Sequence, residues 1–247
     1  MCLGAMASEL SATRDIPIDV VALCRELGVG LRIELADGSR RGALVRRGHG
    51  WEAVVMRGHS RPAPLNGQER FTVAHELGHY LLLKHVDFRP RREAEYWLGE
   101  EVCNHFASRL LIPARLVEGR AEPKCAAGLA EAVADLARQA LVTSEPAARA
   151  LVAQLQTPVA LGTFLLDPLA STRRLGFRGW WVENRNWWGA RGGRRLAIYA
   201  DHALASVLEA MRQIGHGQTA TVEVPGAAAT FLRRRTSRTA SFAALLA

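Results

Sequence analysis

The chain has few cysteines, and they are scattered. Cys2, Cys24, Cys103 and Cys125 include no C-x-x-C pair. That pattern excludes a disulfide scaffold and a cysteine-based zinc site, and fits reduced thiols in an intracellular protein. No apolar run approaches the ~18 residues of a membrane span, so no membrane association is expected. The opening stretch, MCLGAMASELSATRD, lacks a basic segment leading into an apolar one, so no secretory leader is read there. A cytoplasmic location is the expectation. Internal repeats and low-complexity tracts are also missing, which excludes solenoid and fibrous architectures.

What is present suffices for a folded core. Half of the 247 residues are hydrophobic (49%), enough for one large domain or two to three small ones. The net charge of +8 is uneven. Residues 158–247 carry 12 basic against 5 acidic side chains, whereas residues 1–157 carry 20 against 19. The basic character therefore belongs to the C-terminal third.

Residues 1–14 read as a loose tail. Pro17 and Asp19 open a helix over Ile18–Leu27 that Gly28 closes. Three short strands follow, Gly30–Leu35, Gly42–Arg46 and Trp51–Met56, with turns at Asp37-Gly38 and Gly48-His49-Gly50. The pattern predicts a small antiparallel sheet whose last strand lies near the next helix. Arg57–Gly67 is a loop. A helix then spans Arg70–Lys84, and a second one runs from Glu93 or Tyr96 to Leu111, ahead of Pro113. Helices over Ala126–Gln139 and Ser144–Leu155, joined briefly at Ala140–Thr143, resemble a helix-turn-helix; a plain helical hairpin is the competing reading. Beyond Thr157 the sequence predicts strands at Val159–Leu166, Leu175–Val182, Arg195–Tyr199 and Thr219–Val224, a helix over Asp201–Ile214, and an arginine-bearing tail from Arg233.

The chemistry is concentrated in His75-Glu76-Leu77-Gly78-His79. Residues four apart on a helix share a face, so His75 and His79 can grip one metal ion, and Glu76 can reach a water beside it. Two histidines and a glutamate in so apolar a helix need a reason to be there. A catalytic zinc takes a third protein ligand and keeps one open position. Asp87, Glu93, Glu95, Glu100, Glu101 and His105 are the downstream choices. Helical geometry favours Glu100, which shares the core-side face with Cys103, Asn104, Ala107 and Leu111. Glu101 is turned about 100° away. Asn104 can hydrogen-bond a metal-bound histidine from behind. Tyr80 and His105 are candidates for a substrate or transition-state contact, with packing the competing role for Tyr80. Arg70 reads as a salt-bridge partner.

The run Arg70-Phe71-Thr72-Val73-Ala74-His75-Glu76-Leu77-Gly78-His79, followed by Glu100-x-x-Cys103-Asn104-x-Phe106-Ala107-x-x-Leu110-Leu111-Ile112-Pro113, resembles the ImmA/IrrE family of metallopeptidases. The second block there typically reads E-x-x-A-N-x-F-A-x-x-L-L-M-P, so Cys103 and Ile112 depart from it. The resemblance covers residues 15–157. It implies His75, His79 and Glu100 as ligands of Zn²⁺ (or Mn²⁺), Glu76 as general base, and a soluble gluzincin-like enzyme. Its substrate would be a helix-turn-helix repressor, cut to switch on stress, DNA-damage or mobile-element genes. The family's radiation-response branch carries a GAF-like C-terminal domain, of which residues 158–247 would be a divergent or shortened counterpart.

The expected architecture is α+β. Residues 1–122 form a zincin-like metallopeptidase domain, 123–157 a helix-turn-helix-like pair, and 158–247 a basic, Trp-rich α/β module for sensing or docking. Arginines interleaved with aromatics there can also contact nucleic acid. Two other functions compete. One is a DNA-binding regulator with a structural metal, against which the intact Glu76 argues. The other is a protease with a different target.

Overall fold

The computed structural model describes residues 2–35, 41–58 and 63–157, and beyond them the strands at 159–166, 177–183, 219–224, 227–232, 234–236 and 239–245. The chain divides into two compact units: Met1–Glu118 with Leu136–Ala147, and Gly119–Asp135 with Ala148–Ala247. The fold is α+β, with six α-helices and a small three-stranded sheet among the described residues. None of the described helices is long and apolar enough to cross a membrane.

The first unit opens with a helix, α1 (Leu3–Ala12), where the sequence suggested a loose tail. Leu3, Met6 and Ala7 recur at helical spacing and are buried. They pack α1 against a later helix, α4 (Glu93–Leu111). In α2 (Val20–Leu27), Asp19 caps the start by accepting from the N–H groups of Val21 (2.9 Å) and Ala22 (3.0 Å). Gly28 ends it in the left-handed region at φ 71°, where a side chain would be strained.

Strands β1 (Val29–Leu35), β2 (Gly42–Arg47) and β3 (Gly50–Arg57) lie in the order β1-β3-β2. The sheet is mixed rather than antiparallel, because β1 pairs parallel to β3 and only β2 runs against it. The continuous buried run Ala53-Val54-Val55 accounts for this: a strand covered on both faces belongs in the middle. The last strand is thus central, with β1 and β2 at the two edges. The predicted turn at Asp37-Gly38 lies outside the described residues.

Helix α3 (Gly67–Val86) carries the histidines and starts from a capping box. The Asn66 side chain accepts from Gln68 and Glu69 N–H, and the Glu69 carboxylate accepts from Asn66 N–H at 2.9 Å. The same carboxylate forms a buried pair with Arg57 at 2.6 and 2.8 Å, which pins the helix start to the end of β3. Among the described residues Arg70 forms no salt bridge. Its guanidinium donates to two carbonyls, Leu141 O at 3.1 Å and Ile18 O at 2.7 Å, and burial lowers its pKa. Helix α4 begins at the earlier of the two predicted starts and ends at the predicted residue. It crosses α3 where Gly78 meets Cys103 and Phe106. A Cβ on Gly78 would stand 3.2 Å from both, so the small residue sets the approach.

Helices α5 (Ala126–Ala140) and α6 (Ser144–Val152) stand where the sequence placed them, with Ser144 as the first helical residue and α6 ending three residues early. In the second unit the Glu122 carboxylate accepts from the N–H groups of Gln156 and Thr157. Its four-stranded sheet has the order β5-β4-β9-β8, from β4 (Val159–Leu166), β5 (Phe177–Glu183), β8 (Arg234–Thr236) and β9 (Thr239–Leu245). Strands β6 (Thr219–Val224) and β7 (Ala227–Leu232) pair with each other. Within the arginine-bearing tail the described residues are strand, and β9 lies inside the sheet, paired with both β4 and β8. The strand expected at Arg195–Tyr199, the helix expected over Asp201–Ile214, and Trp187 and Trp188 lie outside the described residues.

Candidate metal centre

Two helices each contribute an i, i+4 pair. From α3 come His75 and His79; from α4 come Glu100 and Asn104. The crossing at Gly78 brings the pairs face to face. His75 Nε2 lies 3.0 Å from His79 Nε2 and 3.2 Å from Glu100 Oε2, and His79 Nε2 lies 3.2 Å from Glu100 Oε1. One ligand atom from each residue falls within 4.8 Å of the others.

The donor set fits a divalent cation. Two imidazole nitrogens, when unprotonated, and an ionised carboxylate all offer lone pairs to one point, and a proton on an imidazole is the donor the three can share. Ligands ~2.0–2.1 Å from a tetrahedral ion stand roughly 3.3 Å apart, close to the separations here. His75 Nδ1 lies 2.9 Å from Asn104 Oδ1, so Nδ1–H donates there and Nε2 keeps its lone pair for the cation. Burial lowers the His75 pKa, but hydrogen bonding to Glu100 and the nearby Glu76 charge outweigh it and leave the group raised. Hydrogen bonds from His75 and His79 hold the Glu100 carboxyl well below the usual carboxylate range.

Glu76 sits next to this cluster and is buried. Burial raises its pKa, against the opposing pull of His75 and His79. Its carboxylate takes a hydrogen bond from the Leu44 backbone on β2. That contact needs the edge strand very close to α3. A Cβ at Gly42 would lie 2.3 Å from Thr72 Cγ2, 3.0 Å from Glu76 Oε1 and 3.1 Å from Val54 O. Gly42 and Leu44 escaped the motif reading. The available signal was a glycine inside a strand, which often marks close backbone approach.

A cleft of about 550 Å³ opens over the cluster, lined by Gly42 and Leu44 of β2, by His75, Glu76 and His79, and by Glu100 and Asn104. The other sequence candidates are placed elsewhere. Glu101 is exposed. Asp87 pairs with Arg89, Glu93 accepts from the Trp97 indole, and Glu95 accepts from Arg91 N–H. Tyr80 is buried, and its hydroxyl donates to Leu27 O at 3.2 Å. His105 lies on the α1 side of α4, with its Cδ2 3.9 Å from where a Gly4 Cβ would stand. Neither Tyr80 nor His105 lines the cleft.

Residues 65–126 match the model of the IrrE N-terminal-like domain, a span that holds the whole cluster. Over this span the chain is similar to the ImmA/IrrE family. The radiation response metalloprotease IrrE of Deinococcus deserti is 33% identical over 128 residues, which cover 49% of this chain and 42% of that protein. The match thus spans about two fifths of that relative's length. A Mycobacterium tuberculosis transcriptional regulator of known structure is similar over 99% of this chain and 76% of its own, with a TM-score of 0.55 and 15% identity. At that identity the likeness concerns the fold alone. Within residues 65–126, Cys103 takes the small-residue position that meets Gly78. Burial pushes its thiol pKa far up, so it acts as a small apolar contact.

Proposed function

We propose that the protein is a cytoplasmic, zincin-type metalloendopeptidase that cuts a helix-turn-helix transcriptional repressor and so releases stress, DNA-damage or mobile-element genes. The observation that carries the reading is the convergence of His75, His79 and Glu100 with Glu76 alongside. A purely structural site has no use for a buried carboxylate next to its ligands. The relative named a radiation response metalloprotease supports a peptidase that acts in a stress response.

In this reading His75, His79 and Glu100 hold Zn²⁺ or Mn²⁺. The bound ion supplies Lewis-acid polarisation of the scissile carbonyl and acidifies water. Glu76 takes the proton of the attacking water and passes it to the leaving amine, a task that suits a carboxyl whose pKa burial has raised. Leu44 N–H aims the Glu76 carboxylate, and Asn104 fixes the His75 tautomer. The substrate pairs with the outer edge of β2. Arg41 O bonds Met56 N on the β3 side, so alternation turns the Gly42 and Leu44 main-chain groups outward, toward the cleft.

The test mixes zinc-loaded protein with the helix-turn-helix repressor encoded beside it, with Glu76→Gln in parallel. A discrete product from wild type alone supports the reading. Equal cleavage by both proteins removes Glu76 as base. Absence of product, with zinc measured in the sample, shifts weight to a DNA-binding regulator with a structural metal or to a protease of another target. Contact of the basic segment 158–247 with nucleic acid is tested separately, by filter binding to single- and double-stranded DNA across a salt series. No binding at low salt removes it.

A further inference from the structure

We infer that the cleft holds a preformed apolar subsite, walled by Leu83, Phe88, Pro90 and Tyr96, that receives a large apolar substrate side chain next to the bond being cut. The inference rests on the peptidase reading above and names the chemistry of the residue that the site selects.

The two ends of the cleft differ. Past Glu76, toward the start of α3, the wall is partly polar, with Arg41 Nη1 donating to Gln68 Oε1 at 2.9 Å. Past His79 the wall carries no charge: Leu82 and Leu83 follow one turn on, and Phe88, Pro90 and Tyr96 close the far side. One turn of helix is about 5.4 Å. An extended peptide advances ~3.3 Å per residue and points successive side chains to opposite faces. A substrate with its scissile carbonyl at the ligand cluster therefore presents to this wall the side chain of the residue that bears that carbonyl, and alternation turns the side chains of both neighbours away.

The wall is built rather than left over. Helix α3 ends with Asp87 in the left-handed region at φ 47°. That turn brings Phe88 back, and its N–H donates to Leu82 O at 3.3 Å. The Phe88 ring then lies against Gly99, where a Cβ would come within 2.7 Å of Cε1. Gly99 immediately precedes Glu100, so the aromatic wall and the metal ligand are held in register. Tyr96 stands one turn earlier on α4 and is 48% exposed. An aromatic ring left half-open over a cleft gains from an apolar partner.

The test uses the zinc-loaded full chain and two metal-anchored probes, the hydroxamates of N-acetylphenylalanine and N-acetylalanine, titrated by calorimetry. Both share the anchor, so their ratio reports the subsite. The phenylalanine compound is expected to bind about tenfold tighter or better, from the apolar area it buries. In Tyr96→Ala and Phe88→Ala the ratio is expected to fall to about twofold while the alanine compound's affinity holds; a general structural defect would move both. Equal affinities in the wild type, or a ratio that survives Tyr96→Ala, overturns the subsite. Because no turnover is read, a failed repressor cleavage leaves this result standing. Binding of neither probe, with zinc confirmed in the protein, overturns the subsite together with the accessible metal centre beneath it.

Discussion

Helix α3 takes part in two polar clusters about two turns apart, and they are opposites. At its start, Asn66, Glu69 and Arg57 satisfy one another. Each carboxylate oxygen of Glu69 has a guanidinium N–H, and the cap closes in both directions. In its middle, His75, His79 and Glu100 turn acceptors toward a common point at 3.0–3.2 Å. The first cluster is closed and can only hold things in place. The second is open and could hold a cation. Donor-acceptor balance, more than burial or charge, separates scaffold from site on one helix.

The contrast can be broken from either side, and the largest effect should come from the open cluster. Stripping metal with a chelator, or replacing Glu100 with Ala, should abolish peptidase activity. Added zinc should restore it in the stripped wild type only, as read by product formation and bound-metal analysis. Next comes Glu76→Gln, which should slow turnover by about 10²–10⁴-fold with zinc content unchanged. Asn104→Ala should weaken metal binding by about 10–100-fold, measured by competition with a chromophoric chelator. The closed cluster should answer differently. Arg57→Met alone leaves the Glu69 charge buried without its guanidinium and should lower Tm. The double variant Arg57→Met/Glu69→Leu should recover part of that loss, and both should keep full zinc content. The smallest effect belongs to the close approach. Gly42→Ala should cost about 1–3 kcal/mol by denaturant unfolding, with reduced turnover. Adding Thr72→Ser removes the Cγ2 that meets the new methyl at 2.3 Å and should recover most of both.

The cluster was legible in the sequence because α3 carries His75 and His79, and α4 carries Glu100 and Asn104, at a four-residue spacing that a helix converts directly into a shared face. Glu100 was separable from Glu101 for the same reason. Other features depend on partners far along the chain. Arg70 was read as an ion-pair residue, yet its partners are the carbonyls of Ile18 and Leu141, and carbonyls leave no mark in a sequence. Helix α1 was missed because Leu3, Met6 and Ala7 sit among alanines, serines and a glutamate, and become a stripe only against α4. Strand order in the first sheet was missed because local alternation fixes a strand and leaves its neighbour open. Strand β9 was hidden by alanines and an arginine-rich approach that read as surface.

The crossing at Gly78 also sets a ruler for ions. The ligands come from two separate helices, and a glycine against Cys103 and Phe106 already holds those helices at contact distance. The bite of the site is therefore decided by packing before any ion arrives. A cation that bonds nitrogen and oxygen at ~2.0–2.2 Å fits between the helices as they stand. One that prefers ~2.3–2.6 Å and six to eight oxygens, as calcium does, must pry them apart and still goes short of ligands. If the cluster holds its ion as proposed, the choice among metals would follow from how closely the two helices pack at Gly78.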